Sequence, residues 1–265
     1  MQYGSVETAL IGWGIVATAM VLLYFWQRSR NDAGIVDVGW AAGVGFLALF
    51  YAATLDGDPG RRIVLALAGG GWGIRLAAYL FRDRVRPEGE DGRYKTLRER
   101  WGPRAQTWFF LFFQVQALWA VMFSLPFLAV ATSRTLSFAP ADGLGIAVWV
   151  VAVAGESLAD RQLARFRANP ANRGKTCREG LWRYSRHPNY FFEWVHWFAY
   201  VLLGYGSPLW LLTLLGPSLM FLFLFKITGI PYTEAQAVKS RGEDYLRYQR
   251  TTSAFFPWFP KEDQG

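Results

Sequence analysis

Ionisable and amide side chains recur in this chain where its neighbours are apolar, and their spacing suits an anionic ligand. The densest stretch is Asn172–His196, NRGKTCREGLWRYSRHPNYFFEWVH. Arg173, Lys175, Arg178, Arg183 and Arg186 crowd its first half. Guanidinium and ammonium donors so clustered suit phosphate groups. His187, Asn189, Glu193 and His196 follow as the chain turns apolar, and an ionisable residue in such a segment marks a functional site. Asn189 both donates and accepts, which suits a carboxamide, while His187 beside Pro188 suits helix capping as well as chemistry. Asp37, Arg75, Tyr79, Arg82, Glu156, Asp160, Arg167, Lys226 and Glu234 punctuate other apolar runs. Arg75, Tyr79 and Arg82 are spaced i, i+4, i+7, and Glu156 and Asp160 i, i+4, so each set shares a helix face. Together they point to an anionic cofactor at the mouth of an intramembrane pocket.

The elements that must position these groups are membrane helices. Across 265 residues, 52% are hydrophobic and 17% aromatic, too apolar for an ordinary soluble domain. Seven runs reach roughly the 20 residues that a bilayer needs, at about 6–26, 35–55, 63–82, 107–132, 143–166, 190–205 and 208–229. The expectation is one all-α, polytopic integral membrane domain over residues 1–265. The first run lacks a charged leader and a small-residue cleavage site, so it reads as a retained helix. Basic residues gather after the odd-numbered helices, in loops at about 83–106 and 167–189 and in the tail 230–265. GDPGRR, SRTLSFAPAD and GYGSP, after the even-numbered ones, are short and nearly neutral. The positive-inside rule then puts the N-terminus outside and the C-terminus in the cytoplasm. A net charge of +8 follows from those loops, and no basic patch is interleaved as a nucleic-acid surface requires. Cys177 stands alone, which excludes an internal disulfide and leaves no Cys/His zinc pattern; no metal site is expected. Gly69–Gly71 with Gly73 makes a small-residue patch for close helix approach. Residues 233–250 read as amphipathic, and SAFFPWFP after them suits the membrane interface or a fold back onto the bundle.

Five pieces of this sequence resemble the steroid 5-alpha-reductase superfamily, in particular its bacterial branch once filed as a domain of unknown function. They are EDGRY (Glu90–Tyr94), NRGK (Asn172–Lys175), GLWRYSRHPNYFFE (Gly180–Glu193), KITGIP (Lys226–Pro231) and TSAFFPWFP (Thr252–Pro260). Isoprenylcysteine carboxyl methyltransferases share an RHPxYxG pattern and use S-adenosylmethionine. In this chain Phe192 replaces the small Gly common before the Glu in both families, a change expected to narrow the groove beside the cofactor.

The resemblance implies a seven-helix enzyme that moves hydride from NADPH to a conjugated enone, such as a 3-oxo-Δ4-steroid entering from the lipid. The family's cofactor-side Asn and Glu fall on Asn189 and Glu193, and its fifth-helix Asp and Arg on Asp160 and Arg167. Glu156 replaces a family Asn. The cofactor set so implied comprises Arg82, Glu156, Asp160, Arg167, Asn172, Lys175, Arg183, Tyr184, Arg186, His187, Asn189, Glu193, Lys226 and Glu234. Tyr79, with Asp37 as a neutral carboxyl beside it, is expected to donate to the enone oxygen as enolate charge develops. Arg93 and Tyr94 are expected to order the long cytoplasmic loop over the site, with direct cofactor contact by one of them as the alternative. The rival readings are an isoprenylcysteine-type methyltransferase and a non-catalytic lipid carrier or transporter; against transport stands the lack of an inverted repeat. Membrane lipids are expected neighbours, the chain is expected to be a monomer without nucleic-acid partners, and the bacterial inner membrane is expected rather than the endoplasmic reticulum.

Overall fold

A computed structural model describes residues 4–86, 89–134, 139–227 and 229–263. Part of the long loop (Pro87, Glu88), part of SRTLSFAPAD (135–138) and Thr228 of KITGIP lie outside the described residues. Among the described residues every regular element is helical, as a lipid-buried backbone demands when it must satisfy its own N–H and C=O groups.

Six segments are long and apolar enough to cross a membrane: Ser5–Arg30 (α1), Ile35–Thr54 (α2), Pro59–Val85, Gly92–Ala131, Pro140–Ala168 (α7) and Trp210–Arg241. Pro59–Val85 joins α3 (Pro59–Leu65) to α4 (Gly71–Leu80) through a π turn at Ala66–Gly70 and ends in a second π turn, Phe81–Val85. Gly92–Ala131 contains the polar α5 (Gly92–Trp101) and the apolar α6 (Ala105–Ala131). Six of the seven expected spans therefore meet both requirements. The other, α8 (Pro188–Leu203), has 16 residues, about 24 Å of helix. Trp210–Arg241 comprises a short 3-10 turn, α9 (Leu215–Leu222), a π turn at Phe223–Ile227, and the polar α10 (Ile230–Arg241). The amphipathic tail continues as α11 (Glu243–Thr251).

The chain divides into two compact units, one of Met1–Asp142 with Leu203–Leu215, the other of Gly143–Leu202 with Gly216–Gly265. In the first, α2 lies against α1, α4 and α6, with Val36, Ala41, Val44, Leu47, Ala48 and Tyr51 wholly buried. The Gly patch does what its composition suggests. A Cβ on Gly73 would stand 2.4 Å from the Gly45 Cα, so α2 and α4 touch backbone to backbone where neither has a side chain. At another end of this unit Asp58 caps α3, accepting from Arg61 N at 3.0 Å. Arg61 itself is buried: it pairs with Asp142 at 3.0 Å and donates to Ser133 Oγ at 2.7 Å and Tyr205 O at 2.8 Å. That pair ties α3 to the first turn of α7 and to the segments carrying Ser133 and Tyr205, and it has no signature in the sequence.

The second unit is organised around α7 and α8. Trp182 Nε1 donates to Ala159 O at 2.9 Å, and Leu181 N to Gln162 Oε1 at 2.9 Å, seating the Gly180–Arg183 turn on α7. Gly180 is left-handed (φ +58°) with the Gln162 amide 2.3 Å from where a Cβ would be, so only glycine passes there.

Candidate functional site

In the second unit, α7 carries Glu156 and Asp160 and α8 begins with Asn189 and Glu193. Asn189 Nδ2 donates to Asp160 Oδ1 at 3.2 Å, while its Oδ1 accepts from Tyr190 N at 3.0 Å. The amide is thus oriented from both sides, and two of the sequence-singled residues are brought together. Glu156 and Glu193 are buried. Phe192, which stands where the families resembled carry a small Gly, lies on α7: a Cβ on Gly155 would come within 2.5 Å of its ring. The small residue absent from α8 is thus supplied by α7, and the Phe192 ring packs on Gly155, the residue before Glu156. Arg167, Lys175, Arg183, Tyr184 and Lys226 are exposed, and Asn172 donates to Phe166 O at 2.9 Å, closing the end of α7.

Arg173 is exposed as well, whereas Arg178 and Arg186 are engaged by the chain itself. Arg186 donates to Glu234 Oε1 at 2.7 Å, to Gln249 O at 2.9 Å and to Thr252 O at 2.6 Å. Glu234 also meets His187 Nε2 at 3.2 Å and accepts from Gln249 Nε2 at 2.8 Å. Arg186, His187 and Glu234, all expected at a cofactor, here join α8 to α10 and α11. Burial holds His187 below the ordinary histidine value against the opposing pull of Glu234, so its ring is neutral and its N–H donates. Asp244, which sequence reasoning missed, does the same for the NRGKT turn. It accepts from Thr176 N at 2.7 Å and from Arg178 Nη2 at 2.8 Å. Its position in the first turn of α11, after Gly242, was the available signal. Partial burial raises the Asp244 carboxyl, but the Thr176 donors and Arg178 outweigh this and hold it below the usual range.

In the first unit, the expected pairing of Asp37 takes a different form. Tyr94 donates to its Oδ1 at 2.7 Å, and Arg93 Nη2 and Arg84 Nη1 both reach its Oδ2. Three donors, two of them guanidinium groups, make Asp37 an acceptor rather than a neutral donor beside Tyr79. EDGRY supplies much of this cluster. Asp91 caps α5 and holds Arg93 Nε at 3.1 Å, and Glu90 takes Arg98 Nη2 at 2.7 Å and Ala33 N at 3.0 Å. The motif fastens the start of α5 to the start of α2, in keeping with the loop-ordering role expected for Arg93 and Tyr94. Tyr79 is half-buried on α4, with Arg75 a turn before it. Arg82 is exposed in the π turn Phe81–Val85, and Arg84, two residues on, pairs with Asp37.

This arrangement can bind and orient an anionic ligand bearing an amide. Exposed Arg and Lys groups stand for phosphates, and an oriented Asn with buried carboxylates stands for amide and hydroxyl groups. No group of three or more His, Cys, Asp or Glu able to hold a metal occurs among the described residues. No curated protein and no solved structure matches the chain. A family described as a protein of unknown function (DUF1295) matches residues 23–252, most of the chain's length, and the chain belongs to that family.

Proposed function

We propose that the protein is a membrane-embedded, NADPH-dependent reductase that adds hydride to the C=C of a conjugated enone, of the 3-oxo-Δ4-steroid kind. The single observation that carries this reading is the polar face of α7 and α8. The Asn189–Asp160 pair sits there with buried Glu156 and Glu193, and exposed Arg167, Lys175 and Arg183 belong to the same unit. The residues present fit such a cofactor: Asn189 meets a carboxamide, Asp160 and the buried carboxylates meet hydroxyl or amide N–H groups, and the exposed cations meet the phosphates, including the additional one of NADPH. The motif resemblance to steroid 5-alpha-reductases supports the same choice.

When bound, NADPH supplies the hydride that goes to the enone β-carbon. The chain's task is then to accommodate the charge that moves to the carbonyl oxygen. A hydrogen-bond donor is needed at that oxygen to stabilise the developing enolate, and the motif resemblance assigns this part to the Tyr79 O–H. A proton taken up at the α-carbon completes the saturated ketone. Asp37, an acceptor held by Arg84, Arg93 and Tyr94, fixes the EDGRY segment rather than the substrate. We place α8 as a seventh span, with the N-terminus outside and the C-terminus in the cytoplasm, because the basic loops then share one face.

Titration of purified protein with NADPH and with S-adenosylmethionine tests the reading. Binding of NADPH, weakened in Asn189→Ala and Arg167→Ala while unfolding is unchanged, with oxidation of NADPH by a test enone, is expected. Binding of S-adenosylmethionine in its place makes the protein a methyltransferase, and binding of neither removes the enzyme reading.

A further inference from the structure

The chain's last segment is rigidly held, yet it turns large apolar rings outward. Arg186 N donates to Ser253 O at 2.8 Å, Ser185 Oγ to Phe255 O at 2.8 Å, Trp258 N to Tyr184 O at 2.9 Å, and Lys261 N to Thr251 O at 2.8 Å. Asp263 pairs with Arg247 at 2.6 Å, and Pro257 and Pro260 fix the backbone between these ties. Phe255 alone turns inward. Phe256, Trp258 and Phe259 are 53%, 71% and 75% exposed. Three large rings fixed in that position form an apolar patch that needs a partner.

The neighbours of this segment identify the partner. Phe255 packs against Phe221 and Phe225, with ring centroids 6.3 and 5.0 Å away, and Phe256 against Trp194 at 5.9 Å. Phe221 and Phe225 belong to Trp210–Arg241, a segment long and apolar enough to cross a membrane. Phe221 and Leu222 on it are exposed, as lipid-facing side chains of such a segment are. Lys226, exposed one turn on, marks where this surface becomes polar. The rings of Phe256, Trp258 and Phe259 therefore continue a lipid-facing surface at its polar end. That is the level at which Trp, with an apolar body and one N–H, prefers to sit.

We propose that Phe256, Trp258 and Phe259 insert into the headgroup region of the bilayer and seat α10, α11 and the Arg186 cluster on the membrane surface. The proposal draws on the membrane character of the chain alone, so the outcome with NADPH does not bear on it. The test places a spin label at Trp258→Cys or Phe259→Cys in a Cys177→Ala background, in phosphatidylcholine nanodiscs, each variant keeping the other two rings. Collision with oxygen is compared with collision with a water-soluble nickel chelate. Oxygen should dominate at both positions, with a ratio several-fold above that at Glu243→Cys, an exposed polar position of α11. A ratio equal to that at 243 places the rings in water. Shielding from both agents means a protein covers them, a second copy or another chain. Either result overturns the proposal. Quenching by brominated lipid, compared between the parent and Trp258→Phe, gives the same answer without a label: the parent should lose more emission, and equal loss overturns the idea.

Discussion

The contact between Gly155 and Phe192 makes a test whose sign reverses. An ideal Cβ at position 155 stands 2.5 Å from two Phe192 ring atoms and 2.6 Å from a third. Carbon atoms in good contact are about 3.5–4.0 Å apart, so the ring or a helix must yield by roughly 1 Å. Overpacking of this kind typically costs about 1–3 kcal/mol. Ala against Gly inside a helix contributes about 1 kcal/mol in the other direction. Gly155→Ala should therefore destabilise by about 1–2 kcal/mol, taking the upper part of the packing range because three atoms clash. In a Phe192→Ala background the clash is gone and only the helix term remains, so the same substitution should stabilise by about 1 kcal/mol. The coupling between the sites is then about 2–3 kcal/mol, at the upper end for residues in contact. Thermal unfolding of the four proteins in one detergent reads this out. Gly155→Ala should lower the midpoint in the parent and raise it by roughly 2–4 °C beside Phe192→Ala. A shift of the same sign in both backgrounds would mean the ring does not occupy the Gly155 hollow.

Tyr79→Phe keeps the ring and removes the donor, so kcat should fall on the order of 100-fold while NADPH affinity holds; near-parental turnover moves the acid elsewhere. Asp37→Asn should act differently, speeding tryptic cleavage at Arg93 by loosening the EDGRY segment, and cleavage at the parental rate would detach that segment from Asp37. Arg186→Met should lower the unfolding midpoint and expose the tail to protease, because Glu234 loses its cation and two carbonyls lose their donor; a loss of NADPH affinity with an intact tail would return Arg186 to the cofactor. Stability should decline as pH falls below about 6.5, since an unfolded His187 then takes a proton that the folded one refuses, and should be fully present above that value. His187→Asn should flatten that slope between about pH 7 and pH 5, and an unchanged slope assigns it to other groups.

Much of the architecture was legible because membrane helices announce themselves by run length. The seven apolar runs correspond to helical segments at shifted bounds, and the Gly69–Gly73 patch foretold a close approach, although its partner Gly45 did not stand out. Two kinds of information were hidden. Periodicity assumes 3.6 residues per turn, and the π turn at Phe81–Val85 gave no sign in it that Arg84 would meet Asp37. Charge spacing, likewise, shows where cations are and not what they meet. Arg186 looked like its neighbours until Glu234, 48 residues on, proved to be its acceptor. Arg178 likewise belongs to Asp244, and Arg84 and Arg93 belong to Asp37.

The basic excess thus divides by chemistry rather than by position. A cation with a buried or half-buried carboxylate is part of the fold, and its removal leaves that carboxylate without its counter-charge. Arg82, Arg167, Lys175, Arg183 and Lys226 stand exposed, where an incoming phosphate can reach them. Losing an exposed charge of this sort does little to stability, whereas losing a ligand's counter-charge weakens its binding. Fold and cofactor can therefore be separated residue by residue. Substitutions at Arg186, Arg178 and Arg84 should move unfolding first, and those at Arg167 and Arg183 should move nucleotide affinity with unfolding unchanged.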